Sequence, residues 1–402
     1  MAITDSGQIK FSDIANEYGV SLGNVSLSTL STDIGLSPQH AITEFYGKSA
    51  DITIGDLTNT ITTDTYGNSL SINPEDAIYF DNYHFLSSST STHGSYYSDD
   101  DGVNWTPSGS LFDATSKFAV SGDVLLCSAR SYVAFYKFGS EPNQSGNTTY
   151  FSGLDLYRTK VSFVFSSQRT PPVIYNGYGY IIRNGLVYKY DFSDYSAAYV
   201  ASLYVSQINQ PPLAVGNDGR MITFGINGSQ PSFVVSDNQF VNSTIIPLPS
   251  VDDYPYTTSS SSISWFNNSD ISTDGNGNWI FTPRQFHTFT GGEQYSLYAY
   301  STDNGDSWTA TQDYYDIVGA MDYTPGVTNT VDGNFGNLEV TKFENNKFYY
   351  GYGYGSGYGG IMYSSDGTNI TSLKNIGVDT KALSFNGSTL IAAGTNKILR
   401  FT

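Results

Sequence analysis

At 402 residues the chain is long enough for two or three ordinary domains or for one repeat architecture, so internal repetition is the first thing to test. Charged residues make up only 14%, while 33 Tyr, 24 Phe and 40 Gly accompany abundant Ser, Thr and Asn, a mixture that suits strands and tight turns and is too aromatic for a disordered chain. A formal net charge of −19 opposes binding to phosphate backbones, which requires Lys and Arg to release counterions, and its plain reading is solubility, with a bound cation as the sharper alternative.

In chain order, residues 1–50 differ from the rest and predict a small helical module. Ser12 caps a helix over Asp13 to Tyr18 with Gly19 at its stop, and a second short helix fits Ser28 to Ile34. A third runs from the pair Ser37-Pro38 to Tyr46 before Gly47. About fifty residues cannot bury much apolar surface, so this module is expected to lean on a partner. The N-terminus carries no basic or apolar leader, and no run approaches the ~18 apolar residues of a membrane helix. A protein made in a cytoplasm, without membrane insertion, is the expectation.

From residue 51 onward the helical period gives way to short strands separated by Asn-Gly, Asp-Gly and Gly-Asn. Hairpins are predicted at 77–86, 118–126, 173–182, 213–222, 274–280, 340–349 and 383–391, at intervals of about 40 to 70 residues. That repetition predicts an all-β, seven-bladed β-propeller over 51–402, with six blades as the alternative if one hairpin is an insertion. The last repeat runs out of chain at Thr402. A strand from 51–75, such as Asp51-Ile52-Thr53-Ile54, is therefore expected to complete it and close the ring.

Two segments match Ser-x-Asp-x-Gly-x-x-Trp: Ser98, Asp100, Gly102 and Trp105, then Ser301, Asp303, Gly305 and Trp308. A shortened third has Ser364, Asp366 and Gly367. In such a turn Ser and Asp hold backbone amides, Gly supplies a positive φ and Trp packs the turn onto its blade. These segments resemble the Asp-box, or BNR repeat, of sialidases and other propellers, which implies the fold rather than an active site. The sialidase resemblance stops there. That family sets its first substrate-binding arginine before the first box, whereas this chain has no arginine before Arg130, and Arg169-Thr170-Pro171 comes too late for the Arg-Ile-Pro motif. Arg130, Arg158, Arg183, Arg220 and Arg284 read as solvated or locally paired.

Other chemistry is sparse. His40, His84, His93 and His287 show no metal-ligand spacing and read as surface or turn residues; Cys127, in Val124-Leu125-Leu126-Cys127, reads as a buried thiol. Asp99-Asp100-Asp101 reads as a solvated turn in preference to a Ca²⁺ site. No cofactor or metal is expected. The Tyr-Gly run Phe348 to Gly360 reads as a strand that packs alternate tyrosines, with a saccharide surface as the functional alternative. On that alternative the glycan-binding candidates are Tyr352, Tyr354 and Tyr358, joined by Tyr254, Tyr256 and Trp265.

The first module adds context. Ile9-Lys10-Phe11-Ser12-Asp13-Ile14, then Glu17-Tyr18-Gly19, Val25-Ser26-Leu27-Ser28 and Phe45-Tyr46-Gly47 resemble a segment found at the start of virion structural proteins of tailed bacteriophages. The resemblance implies a docking role for Ile9, Phe11, Ile14, Tyr18, Phe45 and Tyr46 toward other virion proteins, and localisation in a virion. The resulting expectation is a noncatalytic tail fibre or receptor-binding component that contacts host surface glycan and forms a homo-oligomer, with a trimer, common among fibres, as one option for its copy number. The alternatives are a capsid decoration or tail connector protein and, second, a glycan hydrolase.

Overall fold

A computed structural model describes residues 57–402 apart from 91–93, 110, 114, 142–146, 163–169, 204–210, 229, 250–265, 267–268, 284–286, 289–293, 296–297, 312–336, 345, 355–357, 365–369 and 376. The helical module and its six docking residues lie outside the described residues, as do Arg284, Tyr254, Tyr256 and Trp265.

Strands follow one another as antiparallel blades. Blade 1 comprises Pro74–Phe80, Tyr83–Ser88, Ser95–Ser98 and Thr106–Pro107; blade 2 comprises Lys117–Ser121, Val124–Ser128, Val133–Phe138 and Leu156–Ser162, with Asn147–Phe151 added at the outer edge. Blade 3 is Val173–Tyr175, Tyr178–Arg183, Leu186–Asp191 and Ala197–Ser202, and blade 4 is Leu213–Val215, Met221–Asn227, Gln230–Ser236 and Thr244–Pro247. Blade 5 is Asp270–Thr273, Trp279–Thr282, Tyr298–Ser301 and Thr309–Thr311; blade 6 is Asn337–Glu344, Lys347–Tyr354, Tyr358–Ser364 and Ile370–Asn375. Blade 7 takes Thr380–Phe385, Leu390–Gly394 and Lys397–Phe401 from the end of the chain and Leu57–Ile61 from its earlier part. The first strands of successive blades touch in order around a closed circle, which makes the fold a seven-bladed β-propeller. There is no α-helix among the described residues.

The seven expected hairpins are the first and second strands of the seven blades. Ring closure follows the expected route, but the closing strand is Leu57–Ile61, antiparallel to Lys397–Phe401 with Ile61 opposite Ile398; Asp51 to Ile54 lie outside the described residues. This pairing removes two sheet edges at once.

The core consists of layers between blades. Blades 1 and 2 share one layer around Phe85, Phe112, Phe118 and Tyr136; blades 4 and 5 share another around Phe233, Phe281, Trp279 and Trp308. Because each sheet is covered on both faces, its central strands read as continuous apolar runs. Leu125 faces blade 1 while its neighbour Leu126 faces blade 3. In the Tyr-Gly strand, Tyr350 and Tyr352 point toward blade 5 and Tyr349 toward blade 7. Gly351 lies where a Cβ would press on the Thr380 carbonyl of blade 7, so glycine is what lets the blades approach.

Antiparallel order puts the first-to-second and third-to-fourth turns at one end of the ring and the remaining connections at the other. The first end carries tight turns such as Asp81-Asn82 and Asn176-Gly177, whose positive φ values match the twist of hairpins. The other end carries the longest intervals between strands, 248–269 and 312–336.

Candidate functional site

The two Ser-x-Asp-x-Gly turns join third to fourth strands in blades 1 and 5 and share one hydrogen-bond set. Ser98 Oγ donates to Asp100 Oδ1 at 2.9 Å and accepts the Gly102 amide at 2.8 Å, while Asp100 Oδ1 accepts the Asn104 amide at 2.8 Å. Ser301, Asp303, Gly305 and Ser307 repeat this at 2.8, 2.8 and 2.9 Å. Burial works against the Asp100 carboxylate, but the Asn104 and Ser98 hydrogen bonds hold it below its ordinary range. Each tryptophan donates its indole N–H to the glycine carbonyl at 3.2 Å and turns into the layer shared with the preceding blade. Both glycines have φ near +82° (82° and 83°), and a Cβ would collide with an isoleucine of that preceding blade, Ile391 or Ile222. The chemistry of these turns is mechanical: they bind backbone and staple neighbouring blades. Ser364 is buried at the equivalent place in blade 6, and Asp366 and Gly367 lie outside the described residues.

Blade 4 contains a further turn of this kind that the sequence pattern concealed. Ser236 Oγ donates to Asn238 Oδ1 at 3.0 Å and accepts the Phe240 amide at 2.8 Å, and Asn238 Oδ1 accepts the Asn242 amide at 2.8 Å. Asn replaces Asp, and Phe240, with φ 67°, stands where the others have glycine. That conformation costs about 1–2 kcal/mol for a residue with a Cβ. Burial of the Phe240 ring between blades 3 and 4 offsets it. The legible signal was the spacing Ser-x-Asn-x-x-x-Asn alone.

Next to the blade 1 turn lies an open groove of about 630 Å³, bounded by Asp81, Asn82, Tyr83, Asp99, Phe138 and Asp155 together with Gly139 and Leu154. Its position follows from topology. The Asp81-Asn82 hairpin turn and the Asp99 turn come from blade 1; Phe138 ends the third strand of blade 2, and Asp155 closes the hairpin of its added outer strand. The Tyr83 and Phe138 rings stack 5.1 Å apart at 17°, and Tyr83 also meets Tyr97 at 6.1 Å. Burial, followed by the charges of Asp99 and Asp81, raises the Tyr83 phenol above its ordinary value, so it remains a neutral hydroxyl. Asp155 Oδ1 accepts the Tyr150 hydroxyl at 2.9 Å.

Several residues sit elsewhere than expected. His84 is fully buried in a strand at the junction of blades 7 and 1, which corrects its reading as a surface or turn residue. Its Nδ1 lies 2.8 Å from Ser384 Oγ and its Nε2 3.5 Å from Asp101 Oδ1. The order Ser-His-Asp has the outline of a nucleophilic triad, but Ser384 is only 1% exposed, so no substrate reaches it. Burial lowers the His84 pKa to about 4, against the pull of Asp101. Asp101 is no solvated loop carboxylate either: it binds Arg400 at 2.7 Å, Thr389 at 2.6 Å and Asn386, all on blade 7. Arg183, 1% exposed, donates to the carbonyls of Ala129 and Tyr132, and Arg158 to that of Leu111. Cys127 is buried as expected, its thiol pushed up to about 12 by burial. Tyr352 is 5% exposed and packs on Tyr298 and Met362, so its ring is core and is not presented to a ligand; nothing is described of the Tyr354 and Tyr358 side chains.

Charged residues also gather at the axis. Asp76 accepts the Phe118 amide of the next blade at 2.9 Å, and Asp270 accepts the Thr341 amide of the blade after it at the same distance. Lys342 bridges to Asp76 at 3.4 Å and Lys117 donates to the Glu75 carbonyl. These contacts clamp first strands to one another. Burial raises the Asp270 pKa, with the Thr341 hydrogen bond opposing.

The fold recurs in solved structures of low sequence identity. YCF48 bound to D1 peptide superposes with a TM-score of 0.50 at 12% identity, covering 88% of this chain and 99% of that one. An ancestral GH74 enzyme gives 0.53 at 11% identity over 87% of this chain and 51% of that one. The extracellular domain of a putative hybrid two component system from B. thetaiotaomicron gives 0.51 at 9% identity, with 89% and 44% covered. The shared property is the propeller. At such identities the likeness extends to the fold and no further. No protein-family model and no curated protein matches the sequence. Among the described residues no cluster of three or more His, Cys, Asp or Glu side chains is placed to hold a metal ion.

Proposed function

We propose that this chain is a noncatalytic virion component whose first fifty residues dock onto other virion proteins and whose propeller contacts host surface glycan. The observation that carries the glycan contact is the groove between blades 1 and 2, where the aromatic residues Tyr83 and Phe138 stand among carboxylates and the Asn82 amide. Aromatic rings offer a sugar apolar contact, and the surrounding acceptors and donors suit its hydroxyls. Its volume falls within the ordinary range of small-ligand sites. The hydrogen-bond set of the Ser98 and Ser301 turns supports the Asp-box reading of the repeats. The virion assignment rests on the likeness of Ile9 to Ile14 and Phe45 to Gly47 to phage docking segments.

The test is to incubate the purified chain with host-surface polysaccharide and assay retained protein and released oligosaccharides in the same tube. Retention without release is the expected result. Release would make the protein a glycan hydrolase, and neither would return it to a capsid decoration or connector role. A chain beginning at Asp51 is expected to fold and to fail to join particles; normal incorporation would overturn the docking assignment.

A further inference from the structure

We infer that Lys381 and Asn73 join through an intramolecular amide bond, formed with Asp379 as proton carrier, which locks blade 7 to blade 1 covalently. The three side chains meet at the junction where the ring closes. Lys381 Nζ donates to Asn73 Oδ1 at 3.0 Å and lies 3.2 Å from Asp379 Oδ2, with Thr395 Oγ1 at 3.4 Å. An amine, a carboxamide and a carboxylate in contact are the parts that exchange one amide for another: a nucleophile, an electrophilic carbon with its leaving group, and a base that can return its proton.

Local structure sets each part in place. Lys381 belongs to the first strand of blade 7, where Thr380 pairs with Gly394 and Ala382 with Ala393, so the ladder passes over Lys381. A bulge of this kind re-aims a side chain. Asn73 stands immediately before the first strand of blade 1 and is held on all sides. Its amide donates to Ser88 Oγ at 3.0 Å, its carbonyl accepts the Ser89 amide at 3.0 Å, and its Nδ2 donates to Ser89 Oγ at 2.7 Å. The preceding residue, Ile72, is tied to Asn396 of blade 7 through its amide at 3.0 Å and its carbonyl at 2.9 Å. Reacting groups held in contact by such a frame combine in an effectively unimolecular step.

The carboxylate supplies the second, independent observation. Asp379 sits against Gly353 of the Tyr-Gly strand in blade 6, where a Cβ would overlap Asp379 Oδ1, so that glycine is what gives the carboxylate its space. Oδ1 is buried and has no hydrogen-bond partner among the described residues. An unsatisfied buried oxygen is costly in a merely structural ion pair. In a proton carrier it is the open acceptor.

The step balances without any co-reactant. Asp379 takes one proton from the Lys381 ammonium, and the neutral Nζ attacks Asn73 Cγ. The Cγ–Nζ bond forms and the Cγ–Nδ2 bond breaks, with Asp379 passing protons from Nζ to Nδ2. Of the three ammonium protons, one stays on the new amide and two leave with Nδ2 as an ammonium ion. Asp379 returns to a carboxylate, and nothing is oxidised or reduced. The Lys381 and Asp379 side chains are 17% and 22% exposed, which leaves an opening for the ammonia to escape. The bond closes a loop from residue 73 to residue 381, so the ring stays shut even when the pairing of Leu57–Ile61 with Lys397–Phe401 opens.

The experiment is intact-mass spectrometry of the full chain, followed by tryptic peptide mapping. The expected result is a chain lighter by one ammonia than its sequence, and a branched peptide pair joined through Asn73 and Lys381. The unreduced sequence mass after prolonged incubation at neutral pH would overturn the link. An ammonia loss that maps instead to a cyclised Asn-Gly turn, such as Asn176-Gly177, would overturn it equally. The wild-type chain carries this test, so no variant has to fold for it. Lys381→Met and Asp379→Asn should both keep the full mass and melt at a lower temperature than the linked chain. A link that forms in Asp379→Asn as fast as in the wild type would remove Asp379 from the chemistry.

Discussion

The junction between blades 7 and 1 and the junction between blades 4 and 5 are stapled by the same Ser-x-Asp-x-Gly turn, yet different forces fill the space behind it. At the 4/5 junction Trp308 stacks on Phe233 at 3.7 Å and 8°, in a layer with Phe224, Phe266 and Phe281. At the 7/1 junction Trp105 shares its surroundings with aliphatic Ile391 and Ile398 and with a polar seam of His84, Ser384, Asp101, Thr389 and Arg400. The 4/5 junction joins neighbours in sequence, and large rings fill its interior while the Arg220–Asp306 and Asn304–Asp218 contacts lie at its exposed rim. The 7/1 junction is where the two ends of the propeller meet through the five residues Leu57–Ile61, and directional hydrogen bonds set its register.

The largest effect expected from breaking this comparison is at the aromatic junction. Trp308→Ala should cost about 3–5 kcal/mol in denaturant unfolding, because it removes a buried indole and orphans its stacking partner. Loss of less than about 1 kcal/mol would show that the stack is dispensable. Next comes pH. His84 is neutral in the fold, with its pKa lowered from 6.5 to about 4, so below pH 6.5 the unfolded chain binds a proton that the folded chain refuses. Stability that is complete above pH 6.5 should therefore decline toward pH 4 by about 3 kcal/mol. His84→Gln should flatten this part of the profile, and an unchanged profile would remove His84 from the account.

Gly102→Ala and Gly305→Ala sharpen the shared element. Each should cost about 2–3 kcal/mol, from the positive φ and the collision with Ile391 or Ile222, and the two costs should agree because the turns are the same. The smallest effects lie in the cross-blade arginines. Arg400→Ala, which strips half-buried Asp101 of its charge partner, should cost about 1–2 kcal/mol; Arg220→Ala should cost less than about 1 kcal/mol, since Asp306 and Asp237 are 67% and 76% exposed and solvent screens them. Thermal melts of the pair, with and without high salt, check the order.

Much of the fold could be read before any coordinate. The seven hairpins stand out because first and second strands are short, apolar and separated by Asn-Gly or Asp-Asn turns, as in Val173 to Ile182. The Ser98 and Ser301 turns were legible because each local hydrogen bond needs a particular residue at a particular spacing. The Ser236 turn was not, since Phe240 departs from the glycine rule and is tolerated only by burial against blade 3. His84 looks like a surface residue in a polar, tyrosine-rich neighbourhood, and only the approach of the next blade buries it. The groove escaped for a similar reason: Tyr83 and Phe138 are 55 residues apart in sequence and meet because blade 2 packs on blade 1.

The sequence by itself determined the all-β class, the repeat and the turns that staple it, because strand alternation, turn chemistry and close hydrogen bonds act over a few neighbouring residues. The tertiary structure alone decided which residues face one another across blades: the seam at His84, the buried tyrosines and the groove at Tyr83. Those pairings depend on how seven similar sheets close into a ring, a constraint that acts on the whole chain and leaves no local pattern to read.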